Sequence, residues 1–192
     1  MNMFCFQCQE TARGTGCTVK GVCGKDPQTA AYMDVLLYAV RGIAIVNRTL
    51  REKGTADNEI DHFVLDALFC TITNANFDDE AIIVRIKKAF EIKNILVGTA
   101  KKRNIALPDM PEVAYFVSEE NYLAEAAEVG VLSEPNEDLR SLKQMVIYGV
   151  KGAAAYTEHA LNLGFEDHDI YAMIENALAE ISRSDISAEE LV

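Results

Sequence analysis

Four cysteines stand within the first 23 residues: Cys5, Cys8, Cys17 and Cys23, in the spacing C-x2-C-x8-C-x5-C. Thiolates are soft ligands, and a group this dense reads as a metal site before it reads as disulfides. A C-x2-C turn lets two sulfurs converge on one centre while the N–H groups between them point toward sulfur. A longer loop then brings in the second pair. Gly14, Gly16, Gly21 and Gly24 flank Cys17 and Cys23. Glycine there allows positive φ and close backbone approach to a bulky inorganic core. Gln7 and Gln9 are candidate hydrogen-bond donors to the sulfurs, and Arg13, Lys20 and Lys25 are candidate counter-charges. Contacts of both kinds tune reduction potential. An iron–sulfur cluster and a four-thiolate zinc site both fit these ligands. Zinc sites usually repeat C-x2-C, whereas the second pair here is spaced x5. Disulfides would need an oxidising compartment, and chance is a poor account of four cysteines in 19 positions.

The stretch Met3-Phe4-Cys5-Phe6-Gln7-Cys8-Gln9-Glu10-Thr11-Ala12, followed by Gly16-Cys17-Thr18-Val19-Lys20-Gly21-Val22-Cys23-Gly24-Lys25, closely resembles the N-terminus of the hybrid-cluster proteins. These are also called prismane proteins or hydroxylamine reductases. The resemblance implies that Cys5, Cys8, Cys17 and Cys23 bind a cubane [4Fe-4S] cluster rather than the [2Fe-2S] cluster of members with wider spacing. It implies an electron-transfer role, with an external reductase as donor. It implies an enzyme that reduces hydroxylamine to ammonia and water, and nitric oxide as a second substrate. It also implies a chain more than twice this length, with a catalytic hybrid iron–sulfur–oxygen cluster in later domains. The histidine, glutamate and cysteine ligands of that cluster have no match here. The chain is therefore expected to be an N-terminal domain that partners the remaining catalytic domains and is inactive alone. The competing class is a helical interaction or scaffold module whose cysteine loop holds zinc or no metal.

The elements that must carry the loop read as all-α. Behind Asp26 and Pro27, apolar residues recur at helical spacing over 28–53, with Tyr32, Val35, Leu36, Ala39, Ile43, Val46 and Leu50 on one face and Gly54 as the stop. Helices follow over 58–74 behind Asp57 and over 79–103 behind Asp78, the last ending in Lys101-Lys102-Arg103. The pattern then returns at an offset of 110. Tyr38-Ala39-Val40-Arg41-Gly42 corresponds to Tyr148-Gly149-Val150-Lys151-Gly152, and Gly54, Asp57 and Ile60 correspond to Gly164, Asp167 and Ile170. Helices over 137–163 and 168–182 complete most of a second copy, and its third helix should begin near 188.

The organisation expected is a cysteine loop (1–27), a first three-helix bundle (28–104), a connector with a short helix over 112–130 (105–136), and a second bundle with an incomplete third helix (137–192). A shortened bundle exposes an apolar groove. The connector helix could cover part of it, and a second copy of the chain could cover it too, so a homodimer is expected.

Charge and composition exclude several classes. Hydrophobic residues make up 49% and charged residues 25%, values of a globular chain. The net charge of −12 is concentrated in residues 105–192, which hold 4 basic and 18 acidic groups. That balance argues against nucleic-acid binding and describes a solvated surface or a docking face for a basic partner. The longest apolar run, Val35 to Val46, is interrupted by Arg41 and is short of the ~20 residues of a membrane span. With no secretory leader recognised, the expected location is the cytoplasm.

Other residues read as structural. Gly42 and Gly152 mark close helix crossings, Tyr38 and Tyr148 are core residues, and Cys70 is a buried thiol. His62, His159 and His168 are scattered. Asp78-Asp79-Glu80 and Glu119-Glu120 mark helix starts rather than acid–base pairs. No phosphate loop, dinucleotide fingerprint or nucleophile elbow occurs.

Overall fold

The computed structural model describes residues 3–8, 10–55, 57–72 and 75–192. Gln9 lies outside them. The chain is all-helical, and no β-strand occurs among the described residues. Its helices are α1 (Pro27–Arg51), α2 (Asn58–Cys70), α3 (Asp79–Lys102), α4 (Pro111–Ala114), α5 (Tyr122–Val129), α6 (Glu137–Asn162) and α7 (His168–Glu180). Single 3-10 turns stand at Ala12–Gly14, Glu119–Asn121, Val131–Ser133 and Glu189–Leu191.

The caps carry the repeat into three dimensions. Asp26 accepts from the N–H groups of Gln28 and Thr29, and Asn136, 110 residues on, accepts from Asp138 and Leu139. Asp57 caps α2 through Glu59, and its counterpart Asp167 caps α7 through Asp169. Each cap satisfies N–H groups that the helix leaves unpaired. Gly54 and Gly164 both take left-handed φ, 75° and 82°, and close the ends of α1 and α6. In each case the following N–H returns to a carbonyl five residues back, Thr55 to Leu50 and Phe165 to Ala160.

The two copies are buried very differently. Sixteen of the 25 residues of α1 are buried, but only five of the 26 of α6. The expected single face of α1 is a full circumference: Met33, Leu37, Val40, Ala44 and Ile45 are buried along with the seven residues read from the pattern. The reason is position. α1 packs against α3, α5 and α7, and α2 packs against α6, so both copies share one core. α1 is long and apolar enough to cross a membrane, yet it is the central helix of this core.

The connector is broken where one helix was expected over 112–130. Pro111 opens the single turn of α4, residues 115–118 are extended, and α5 begins only at Tyr122. These pieces pack on α1 and leave the second copy uncovered. Met145, Tyr148 and Tyr156 on α6 and Met173 on α7 are accordingly exposed. Tyr148 is thus a surface residue, whereas Tyr38 stacks edge-on against Tyr115 at 4.7 Å.

The two mid-helix glycines also part company. A Cβ on Gly42 would press into the carbonyl oxygen of Glu112 and sit 2.9 Å from Lys93 Cδ, so this glycine is needed for close approach. Gly152 faces open space, and the close crossing expected of it is not found.

A polar cluster sits inside the shared core. Asn47 of α1 donates to Asp61 of α2 (3.2 Å) and to Glu175 of α7 (2.6 Å), and Arg51 donates to both carboxylates. The Asp61 and Glu175 side chains are 0% and 1% exposed, with one guanidinium between them. Burial therefore holds the Glu175 carboxyl up, to about 7, against the pull of Asn47 and Arg51.

Two predictions follow from this packing. Gly42→Ala should destabilise by about 1–3 kcal/mol through overpacking, whereas Gly152→Ala should stabilise by about 0.5–1 kcal/mol through helix propensity. Urea denaturation of the two variants checks both signs. Between about pH 4.5 and 7 the folded chain holds a proton on Glu175 that the unfolded chain has released, so this group makes stability fall as pH rises. Glu175→Gln should flatten that fall. An unchanged slope would remove Glu175 as its source.

Candidate metal centre

The cysteine loop folds back on itself through its own backbone. The Cys5 N–H donates to the Cys17 carbonyl at 3.0 Å and the Cys17 N–H to the Cys5 carbonyl at 2.9 Å, a single antiparallel bridge. The Thr11 hydroxyl donates to the Cys5 carbonyl at 3.1 Å. The segment carrying Cys23 closes in a tight turn, with the Gly21 N–H on the Lys25 carbonyl and the Gly24 N–H on the Gly21 carbonyl, both 2.8 Å. These bonds put the first and third cysteines side by side.

Two glycines earn their places by geometry. Gly16 has φ 131°, and a Cβ there would meet the Phe4 ring at 2.7 Å. A Cβ on Gly21 would lie 3.0 Å from Cys23 Sγ, so the backbone closes on sulfur where only hydrogen fits.

The sulfurs sit in unlike surroundings. Burial raises the Cys17 thiol, but the N–H groups of Val22 and Ala12 and the Thr11 hydroxyl outweigh it and bring it below the ordinary thiol range. The Ala12 N–H stands 3.4 Å from Cys17 Sγ. Burial pushes Cys5 up to about 11, partly offset by the Gln7 N–H. Cys70 is also pushed up to about 11 by burial, and its S–H donates to the Ala67 carbonyl at 3.3 Å, as suits a structural thiol. Among the described residues, no three His, Cys, Asp or Glu side chains stand close enough together to grip a single ion.

The loop is held to the bundle by polar contacts as much as by packing. Its apolar anchor is small: Met3 and Cys17 pack on Ala30, with Cys5 and Ala12 beside them. Lys25 reaches the α2 C-terminus, where its ammonium donates to the carbonyls of Thr71 (3.3 Å) and Ile72 (3.0 Å) and meets Met33 Sδ at 3.2 Å. Gln7 does not offer its side chain to sulfur as expected. Its amide oxygen accepts from Lys151 Nζ of α6 at 2.5 Å, and its amide nitrogen donates to Asp34 of α1 at 2.7 Å. Burial raises the Asp34 carboxyl to about 7 and lowers the Lys151 ammonium to about 8. A cleft of about 310 Å³ opens beside Gln7 and Asp34, lined in part by Tyr38, Arg41, Gln144 and Ile147.

Of the three expected counter-charges, only Lys25 is buried; Arg13 and Lys20 are exposed. Lys151 and Asp34 were missed. A signal for both exists in the sequence: each is a charge set in an otherwise apolar helical stripe, and Lys151 falls on Arg41 in the repeat. The histidines are less scattered than they read. His62 and His168 flank the Tyr171 ring, and His62 pairs with Glu166 at 3.2 Å. Asp78 caps α3, and Glu119 pairs with Lys87 at 2.6 Å, so both acidic runs do structural work.

Thiolate is the reactive form of cysteine, and a group pushed to about 11 is only about one part in a thousand ionised at pH 8. In metal-free native protein, iodoacetamide at pH 8 should therefore modify Cys5 and Cys70 last. Peptide mass mapping over time checks the order.

Residues 3–192 match the Prismane/CO dehydrogenase family. The whole chain is 54% identical to a hydroxylamine reductase of Bacteroides thetaiotaomicron, 50% to one of Bacteroides fragilis and 45% to one of Desulfitobacterium hafniense. It covers 35%, 35% and 36% of those proteins, so it spans about a third of the length of the curated relatives it matches. With a family match over nearly its full length, the chain belongs to the Prismane/CO dehydrogenase family.

Proposed function

We propose that this chain is the N-terminal electron-transfer domain of a hydroxylamine reductase, with Cys5, Cys8, Cys17 and Cys23 as the ligands of a [4Fe-4S] cluster. The observation that carries the reading is the cysteine loop itself: four soft donors on one segment, with Cys5 and Cys17 latched by reciprocal backbone bonds. The Gly21 backbone packs close to Cys23, where a Cβ would lie 3.0 Å from the sulfur, and the donor set suits an iron–sulfur core. Such a core, when bound, stores and releases one electron at a time.

The chain's own residues supply the rest. The N–H groups of Val22 and Ala12 stabilise the Cys17 thiolate, and that of Gln7 the Cys5 thiolate. The small anchor of Met3, Cys17 and Ala30 keeps the loop on α1. Electrons enter from a reductase and leave toward the catalytic domains of the whole protein, which reduces hydroxylamine to ammonia and water. Nitric oxide is its second candidate substrate. A cytoplasmic setting and a homodimer through the exposed faces of α6 and α7 belong to the same proposal.

A zinc-stapled helical module remains the second reading, because four thiolates also suit zinc. Iron, acid-labile sulfide and zinc per chain after strictly anaerobic purification separate the two. About four irons and four sulfides per chain support the cluster, and about one zinc without iron overturns it. The 192-residue chain alone should show no hydroxylamine turnover, and measurable turnover would refute its role as an accessory domain.

A further inference from the structure

Two buried ammonium groups, Lys25 and Lys151, are bonded at the cysteine loop, and among the described residues neither has a carboxylate in direct contact. Lys25 is 3% exposed and Lys151 1%. The Lys25 ammonium bonds two carbonyls and a thioether, and the Lys151 ammonium bonds the amide oxygen of Gln7; all four acceptors are neutral. Lys25 stands two residues after Cys23, and Lys151 holds the side chain of Gln7, which lies between Cys5 and Cys8 in the chain. Asp34 accepts from the same Gln7 amide at 2.7 Å. Burying a cation on neutral acceptors alone is costly, and an anion beside it offsets that cost.

We propose that Lys25 and Lys151 are the built-in counter-charge of the four-thiolate cluster and set its reduction potential, acting as positioning residues rather than ligands. This rests on the electron-transfer reading above. Four thiolates around a [4Fe-4S] core form a doubly negative unit. One electron from an external reductant makes it triply negative, and the same electron later leaves to the next acceptor; no bond forms or breaks. A buried ammonium favours the more negative form and so raises the potential. Arg13 and Lys20, exposed on the same loop, are screened by water and contribute little.

The test is a redox titration, followed by visible absorption and electron paramagnetic resonance, of the anaerobically loaded chain and its variants. Lys151→Met and Lys25→Met should each lower the reduced-to-oxidised ratio at fixed potential about tenfold, equivalent to about 59 mV for a one-electron couple. Lys151→Arg should restore most of that shift, and the exposed control Lys20→Met should leave the potential unmoved. Variants with full iron and sulfide but an unmoved potential overturn the proposal while leaving the electron-transfer reading intact. Should Lys151→Met fail to hold iron, Lys151→Arg decides: retention supports a charge role, and equal loss overturns it in favour of packing. A wild-type chain without iron fails the electron-transfer reading itself, and the counter-charge with it.

Discussion

The structure depends on burying α1 all the way round. A helix buried on every side must find a partner for each polar side chain it carries, because an unpaired polar group in the interior costs about 1–3 kcal/mol. Those obligations are discharged in a different direction at each level. Asp34 takes the Gln7 amide of the cysteine loop. Arg41 takes Glu112 of α4 and Ser182 beyond α7. Asn47 and Arg51 take Asp61 of α2 and Glu175 of α7, and Arg48 takes Glu180. Apolar burial makes α1 the axle, and its polar residues fix what is mounted on it and at what height.

The loop inherits its place from that arrangement. Its own apolar contacts are too few to order a segment of some 25 residues, so the directional bonds of Lys25 and Gln7 matter more than area. Lys25 fastens it to the end of α2, where carbonyls without a helical partner and the negative pole of the helix welcome a cation. Gln7 fastens it to α1 and α6 together. The candidate ligands are thereby tied to both copies of the repeat, and a shift between the copies would be felt at the loop.

Much of this was legible in the sequence. Local signals were enough for the caps at Asp26, Asp57 and Asp78, the stop at Gly54, and the 110-residue offset that carries α2 onto α7 with its cap. The reciprocal backbone bonds between Cys5 and Cys17 had no such signal, because the C-x2-C spacing names Cys5 and Cys8 as the converging pair. What failed to read was whatever depends on a neighbour distant in the chain. The periodicity of α1 named one face because a pattern cannot state how many partners surround a helix. Gly42 and Gly152 share a motif, yet only the first meets α4. Tyr148 reads like Tyr38 but has no Tyr115 against it. The connector was drawn as one helix because the turn of α4 and the extended residues after it are set by docking on α1, not by propensity. Gln7 was given to sulfur because its other two suitors, Asp34 and Lys151, lie 27 and 144 residues away.

The repeat itself supplies the last link between fold and chemistry. Arg41 and Lys151 occupy the same position in the two copies, a cation in the middle of an apolar stripe. A cation so placed must reach past the core to a partner, and the two copies offer different ones. Arg41 finds a carboxylate at 2.5 Å and is neutralised within the bundle. Lys151 finds the neutral Gln7 amide at the same distance and is held against the cysteine loop. Exchanging the shorter, single-headed ammonium for the forked guanidinium at this position fits that difference. A guanidinium is suited to a paired carboxylate, while an ammonium acts as a compact point charge. Duplication thus gives the chain two cations at equivalent positions, one paired with the Glu112 carboxylate of α4 and the other bonded to the Gln7 amide of the cysteine loop.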